Sequence, residues 1–403
     1  MTKVSRRTFL AGTTALAGAV GSPAIVGAQA ASVKVGLIHP VTGFVAYNGQ
    51  QSRLGATMAI EDLNKAGGIK AMGGARLEAL LGDSQSKVEV GVSEVEKMNE
   101  QGVAAYIGCF QSPVGIAASQ AAAKYNTPFL IDVGASDLIV TRGLKNTFRL
   151  KPGFGVCVDQ GIGALGALNS AAGTPAKTAV IVHESGEFGT GTAKLLSTKL
   201  PTIGIAVKEV IGHDNPTRNF DNIALRIRSL QPDLVMMSNY QNEYVLLART
   251  LYQQKVNLAG FYSLLGGGFN YKFVKEMPDV SQYMMDTNHW FNPKSQRAQA
   301  LKKRVEAGGN LFTYELYLSY SVVELLADAL EHAGSADKEK LLAAISASTY
   351  KADMLPYGPT KFVDGQNQGG LPATLQVQKG DIKVIGPETF AEAKAVFPKP
   401  KFN

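Results

Sequence analysis

From residue 33 the chain alternates short apolar runs with helical patterns, and further on it begins the same alternation again. The first series of strand candidates is VKVGLIH (33–39), LEALLGD (77–83), AAYIG (104–108) and PFLID (128–132), with helical patterns around 51–66, 87–101 and 113–125 between them. The second is TAVIVHE (178–184), IAVKEVIG (205–212), DLVMMSN (233–239) and LAGFYSL (258–264), with helices near 156–171, 190–200, 219–229 and 241–254. Near-continuous apolar strands separated by helices predict a parallel sheet buried on both faces, wound by right-handed crossovers. Two such series predict an α/β chain of two doubly wound lobes. The stretch 141–155, with Gly143, Pro152, Gly153 and Gly155, is the natural first crossing between them. Two later signals are a core helix in LYLSYSVVELLADAL, which places Leu316, Tyr320, Val323, Ala327 and Leu330 on one face, and a hairpin in LPATLQVQKGDIKVI (371–385).

The N-terminus reads as a targeting segment. SRRTFLAG (5–12) sets Arg6 and Arg7 ahead of Phe9 and Leu10, an Ala/Gly-rich apolar stretch follows, and AQA (28–30) matches a small-residue cleavage site. This predicts a twin-arginine (Tat) signal peptide over 1–30 and an exported protein without a tether, retained in the periplasm. A membrane anchor is the weaker alternative, because the apolar stretch is short and broken by Pro23. The chain has 403 residues and a formal charge of +7, but Lys3, Arg6 and Arg7 belong to the signal; the remaining 37 basic residues face 33 acidic ones. So small and scattered an excess predicts a solvated surface and no nucleic-acid partner. Cys109 and Cys157 either pair in an oxidising compartment or sit as two small buried hydrophobes.

The motifs argue against an enzyme. Gly43, Gly49 and Gly55 do not fit a dinucleotide loop, and the chain contains no Walker sequence, no G-x-S-x-G and no H-E-x-x-H. His39, His183, His213, His289 and His332 show no metal-type spacing, so neither a metal nor a cofactor is expected. What the sequence offers instead are strand ends rich in small polar residues. IGCFQSPVG (107–115) puts Ser112 where a helix begins, and DVGASD (132–137) puts Gly134, Ala135 and Ser136 after another strand. In open α/β sheets ligands bind beyond the carboxyl ends of strands, where hydroxyls and free N–H groups suit an anionic head group. Helix capping by Ser112 and Ser136 is compatible with that role.

HPVTGFVAYNGQQSRLGATMAIEDLNKAGGI closely resembles the start of type I periplasmic binding proteins of the leucine/isoleucine/valine class, and the resemblance continues through GASDLIVTRGLKNTFRLKPG, VIVHESGEFGTG and YGPTKFVDGQNQGG. It implies a Venus-flytrap fold, two lobes joined by three crossing segments, with lobe one formed by 31–150 plus 287–352 and lobe two by 151–286 plus 353–403. It also implies a monomeric receptor that passes a small molecule to the membrane permease of an ABC importer. By the same resemblance Ser112 holds a ligand carboxylate, Gly134, Ala135 and Ser136 add contacts to it, and Tyr47 and Asn48 line the side-chain end. Phe188 and Tyr240 fall on cleft positions, and Phe110 and Tyr262 are placed to add aromatic walls. Amino-acid receptors of the class carry an acid after the next lower-lobe strand, to pair with the ammonium. Here that loop reads FYSLLGGG, with Leu264 and Leu265 near the expected carboxylate. The expectation is therefore a carboxylate ligand with an apolar or aromatic body. An amino acid or amide, or a ligand-sensing module of the same fold, are the alternatives.

Overall fold

The computed structural model describes residues 32–401, so the candidate signal peptide lies outside the described residues. The strands are β1 (Ser32–His39), β2 (Arg76–Asp83), β3 (Ala105–Gly108), β4 (Phe129–Ile131), β5 (Thr147–Arg149), β6 (Thr178–Glu184), β7 (Ala206–His213), β8 (Leu234–Ser238), β9 (Gly260–Leu264), β10 (Met285–Asn288), β11 (Phe362–Val363), β12 (Gln366–Asn367), β13 (Ala373–Gln378) and β14 (Asp381–Gly386). They form two seven-stranded sheets, ordered β11-β12-β5-β4-β3-β1-β2 and β14-β13-β10-β9-β8-β6-β7. In each sheet five parallel strands repeat one order, and antiparallel pairing enters only at one end. The central β8 and β9 are buried at every residue, whereas the edge strand β7 alternates exposed and half-buried positions. This is the difference expected between a strand covered on both faces and one at a margin.

The helices are α1 (Ala46–Lys65), α2 (Val88–Glu100), α3 (Ser112–Ala123), α4 (Phe154–Ala171), α5 (Glu187–Lys199), α6 (Asp221–Leu230), α7 (Gln241–Gln253), α8 (Tyr271–Glu276), α9 (Pro278–Ser281), α10 (Gln296–Ala307), α11 (Tyr314–Ala333) and α12 (Lys338–Ser346). The helix read from 314 onward is α11, and it packs along α1 of the first lobe. Gly55 permits that approach, since a Cβ there would lie 2.0 Å from the Leu316 carbonyl oxygen. Among the described residues no helix is long and apolar enough to cross a membrane. Cys109 and Cys157 are buried free thiols, each raised above the ordinary thiol range by burial, so they serve as small hydrophobes.

One boundary differs from the sequence reading. The resemblance places the stretch after 353 in lobe two, yet β12 pairs with β5 in the first sheet through Gln366 and Arg149. The Arg149 N–H donates to the Gly365 carbonyl at 2.8 Å, and the Asn367 amide to the Leu150 carbonyl at 2.8 Å. The third crossing therefore falls between β12 and β13. Two-residue strands held by side-chain amides carry no hydrophobic period, which is why the sequence did not reveal them.

Candidate functional site

The carboxyl ends of both sheets face one cavity, lined by residues of both lobes. Lobe one contributes Phe110 after β3, Ser112 at the start of α3, and Val133 and Ala135 after β4. Lobe two contributes Phe188 in the first turn of α5, Tyr240 after β8, and Leu265 and Gly267 after β9. Asn288 and His289 at the end of β10, and Tyr314 at the start of α11, complete the lining.

The head-group end is built by local geometry. Ser112 is 2 % exposed, and its Oγ accepts the N–H groups of Ala135 at 3.2 Å and Ser136 at 3.1 Å. With its oxygen so engaged, the hydroxyl proton remains to be donated at the N-terminus of a twelve-residue helix, a favourable place for an anion. The 133–137 loop is held from behind. Asp132 accepts from the Val133 N–H at 2.7 Å, the Ser319 hydroxyl at 2.6 Å and His39 Nε2 at 2.8 Å, and these partners keep its carboxyl below the usual range against the opposing effect of burial. Arg53 Nε donates to His39 Nδ1 at 3.3 Å, which fixes the neutral tautomer with the proton on Nε2. Arg149, in the first crossing, donates to the Ser136 carbonyl at 2.6 Å and to Asp137 at 2.9 Å.

The opposite wall is aromatic. The Tyr240 ring lies 5.8 Å from Phe44, 5.9 Å from Phe110 and 5.5 Å from Phe188, centroid to centroid, so it meets both lobes. Its phenol is raised well above the ordinary range, first by burial and then by Glu184 and Glu243, and so stays protonated. The lobes are also joined by the Ser136 hydroxyl, which donates to Glu187 at 2.9 Å, and by the Asn242 amide, which donates to the Phe44 carbonyl at 3.2 Å.

Six of the residues singled out in the sequence therefore line the cavity: Phe110, Ser112, Ala135, Phe188, Tyr240 and Leu265. Five do not. The Gly134 N–H donates to the Cys109 carbonyl at 2.8 Å. Ser136 caps the short helical turn at 137–139, accepting from the Leu138 N–H, and bridges to Glu187. Tyr47 and Asn48 belong to α1: the Lys272 ammonium sits 5.9 Å from the Tyr47 ring centroid, and Asn48 donates to Glu315 at 2.6 Å. From the 40–49 stretch Phe44 also reaches the second lobe, its ring against Tyr240. Tyr262, expected as a cleft wall, lies inside β9 with its hydroxyl against the Gly161 carbonyl of α4 and Thr287, because strand alternation turns it toward the helix. Sequence reading missed Val133, Gly267, Asn288, His289 and Tyr314. The position of NHW immediately after an apolar stretch, close to the expected return to lobe one, was the available signal.

None of the described residues lining the cavity is acidic. Glu184 is held by the Gly186 and Gly189 N–H groups and by Asn215, and burial raises its carboxyl above the usual range. Glu187 takes the Ser136 hydroxyl, and Glu243 is buried at the start of α7.

The family model described as Periplasmic binding protein matches residues 32–381. The chain is similar to the Leu/Ile/Val-binding protein homolog 8 of Brucella abortus, 25% identical over 397 residues that cover 94% of this chain and 96% of the relative. It is also similar to a leucine-, isoleucine-, valine-, threonine- and alanine-binding protein of Pseudomonas aeruginosa, 27% identical and covering 79% and 83%. Two solved structures share the fold at a TM-score of 0.77. One is a branched-chain amino acid substrate-binding protein of Streptococcus pneumoniae in complex with isoleucine (18% identity; 91% and 100% covered), the other an ABC transporter solute-binding protein of R. palustris in complex with benzoate (19%; 91% and 98%).

Proposed function

Because the chain belongs to the periplasmic binding protein family, we propose that it is the substrate-binding receptor of an ABC importer for a small carboxylate with an apolar, aromatic body. It acts in the periplasm after Tat export directed by Arg6 and Arg7, as a non-enzymatic monomer that hands its ligand to a membrane permease. The observation that carries the ligand class is the make-up of the cavity. One end has a hydroxyl braced by two backbone N–H groups at a helix N-terminus, the walls are Phe110, Phe188, Tyr240, Val133 and Leu265, and no carboxylate lines it among the described residues. A carboxylate is matched there by hydrogen bonds to its charged form. An ammonium would be buried without a counter-charge, at a cost of several kcal/mol. The fold itself accommodates both kinds of ligand, since relatives are named for aliphatic amino acids and one structural neighbour holds benzoate.

The test is a thermal-shift screen of the purified mature protein against aryl carboxylates, short-chain carboxylates and branched-chain amino acids. At about 100 times its dissociation constant a ligand adds about 2.7 kcal/mol of stability. Shifts with benzoate or phenylacetate and none with leucine are expected. A shift with leucine or isoleucine, and none with any carboxylate, would sink the reading.

A further inference from the structure

We infer that His289 is a second hydrogen-bonding point of the cleft, and that the ligand therefore carries a hydroxyl group on its apolar body in addition to the carboxylate. The inference rests on the carboxylate reading and deepens it.

His289 lines the cavity and is 1 % exposed. Its backbone is fixed on both sides: the N–H donates to Asn288 Oδ1 at 2.8 Å, and the carbonyl accepts the Tyr317 hydroxyl at 3.1 Å. The ring is thus anchored, yet neither Nδ1 nor Nε2 has a hydrogen-bond partner among the described residues. Most buried side-chain polar atoms in folded proteins have one, and an unmet buried group costs about 1–3 kcal/mol. The neighbouring lining groups are otherwise engaged. Asn288 uses both ends of its amide, donating to Asp286 at 2.8 Å and accepting from the His289 N–H. Ser112 Oγ already accepts two N–H groups. The Tyr314 phenol is raised well above its ordinary range, by burial first and then by Glu315, and stays protonated. A bound ligand is the partner these nitrogens can still acquire.

The state of the ring selects the chemistry. Burial, with the charges of Lys151 and Arg149 behind it, holds His289 well below the usual imidazole range, so the ring is neutral, with one N–H and one bare nitrogen. Lys151 is itself fully buried, its Nζ donating to the Pro152 carbonyl at 3.3 Å, and burial and then Arg149 hold it well below the usual lysine range. A carboxylate can accept from the N–H but offers nothing to the bare nitrogen. A hydroxyl both donates and accepts, so it meets a neutral imidazole in either tautomer.

The experiment is calorimetric titration of the mature protein, freed of any co-purified ligand, with benzoate and its three ring-hydroxylated isomers, and with phenylacetate and its ring-hydroxylated counterparts. At least one hydroxylated member should bind about tenfold more tightly than its parent. His289→Leu should erase that preference, read as the ratio of the two affinities within the variant, and His289→Gln, which keeps a donor and an acceptor, should retain part of it. If the leucine variant does not fold, the wild-type series and the glutamine variant decide. Equal binding of every parent and hydroxylated pair overturns the inference and leaves the carboxylate reading standing. A hydroxyl preference undiminished in His289→Leu overturns the assignment to His289. Binding of leucine or isoleucine without any carboxylate overturns both readings together.

Discussion

The two lobes are built on one plan and face the cleft with different chemistry. Each orders its parallel strands alike, β2-β1-β3-β4-β5 in one and β7-β6-β8-β9-β10 in the other, so equivalent loops meet across the cavity. After β3 and β4 the first lobe places a serine, two backbone N–H groups and the start of a helix. After β8 and β9 the second places Tyr240, Leu265 and Gly267. Strand order is a property of the sheet core and repeats with it. Loop chemistry is free to diverge because loops lie outside the core and bear little of its packing. One lobe is thus equipped to hold a head group, and the other to cover the ligand's body.

Placing charge in the second lobe tests that division most severely. Leu265 adopts a left-handed backbone, φ 57°, which aspartate tolerates better than most residues. With charges about 6 Å apart and an effective dielectric of about 20, Leu265→Asp should weaken carboxylate binding by about 2.8 kcal/mol, on the order of 100-fold. The same variant should begin to bind leucine, and calorimetry with both ligands reads the exchange. Carboxylate affinity unchanged from wild type would mean the ligand does not lie against Leu265.

Next in size is the head-group lobe itself. Ser112→Ala removes a donor to an ionised ligand oxygen, worth about 1.5–3 kcal/mol or about 10–150-fold in affinity. It also strips the Ala135 and Ser136 N–H groups of their acceptor, so the ligand-free melting temperature should fall as well. A variant that binds like wild type would remove Ser112 from the site.

A smaller effect is expected where the lobes touch. The Ser136 hydroxyl reaches Glu187 rather than the cavity, so Ser136→Ala should act on closure. A half-buried hydrogen bond of this kind contributes about 0.5–1.5 kcal/mol, so affinity should fall by no more than about tenfold, for every ligand alike. A loss confined to carboxylates would return Ser136 to the head-group site.

The smallest effect concerns the frame behind the first lobe's loop. His39 is buried and its imidazole is lowered from the usual value, chiefly by burial, so the unfolded chain takes up a proton before the folded one does. Its contribution to stability is therefore present above about pH 6.5 and is lost as pH falls, by at most about 0.7 kcal/mol between pH 7 and 6. Denaturant unfolding of wild type and His39→Gln across that window should show the shallower slope in the variant. Equal slopes would mean that His39 titrates in the fold as it does in the unfolded chain.

Much of this organisation was legible in the residues alone. Strands such as TAVIVHE and DLVMMSN, and the helices between them, announce themselves by composition and period, because a strand covered on both faces must be apolar throughout. The small polar residues at strand ends marked Ser112 and Ala135, since a parallel sheet puts those ends in one place. Other parts left no periodic trace. β5 and β10 are three and four residues long, and β11 and β12 only two. Which way Tyr262 points depends on register within β9, where a shift of one residue exchanges the faces.

Local sequence thus determined that there are two parallel-sheet lobes and which loops cap them, because strand and helix periods are set by nearest neighbours along the chain. Only the tertiary structure decided the composition of the cavity. Ser112, Tyr240 and His289 are far apart in sequence and meet because the sheets face each other across the crossing segments. The orphaned nitrogens of His289 are likewise a property of its surroundings, since a histidine's partners are set by what the fold packs around it.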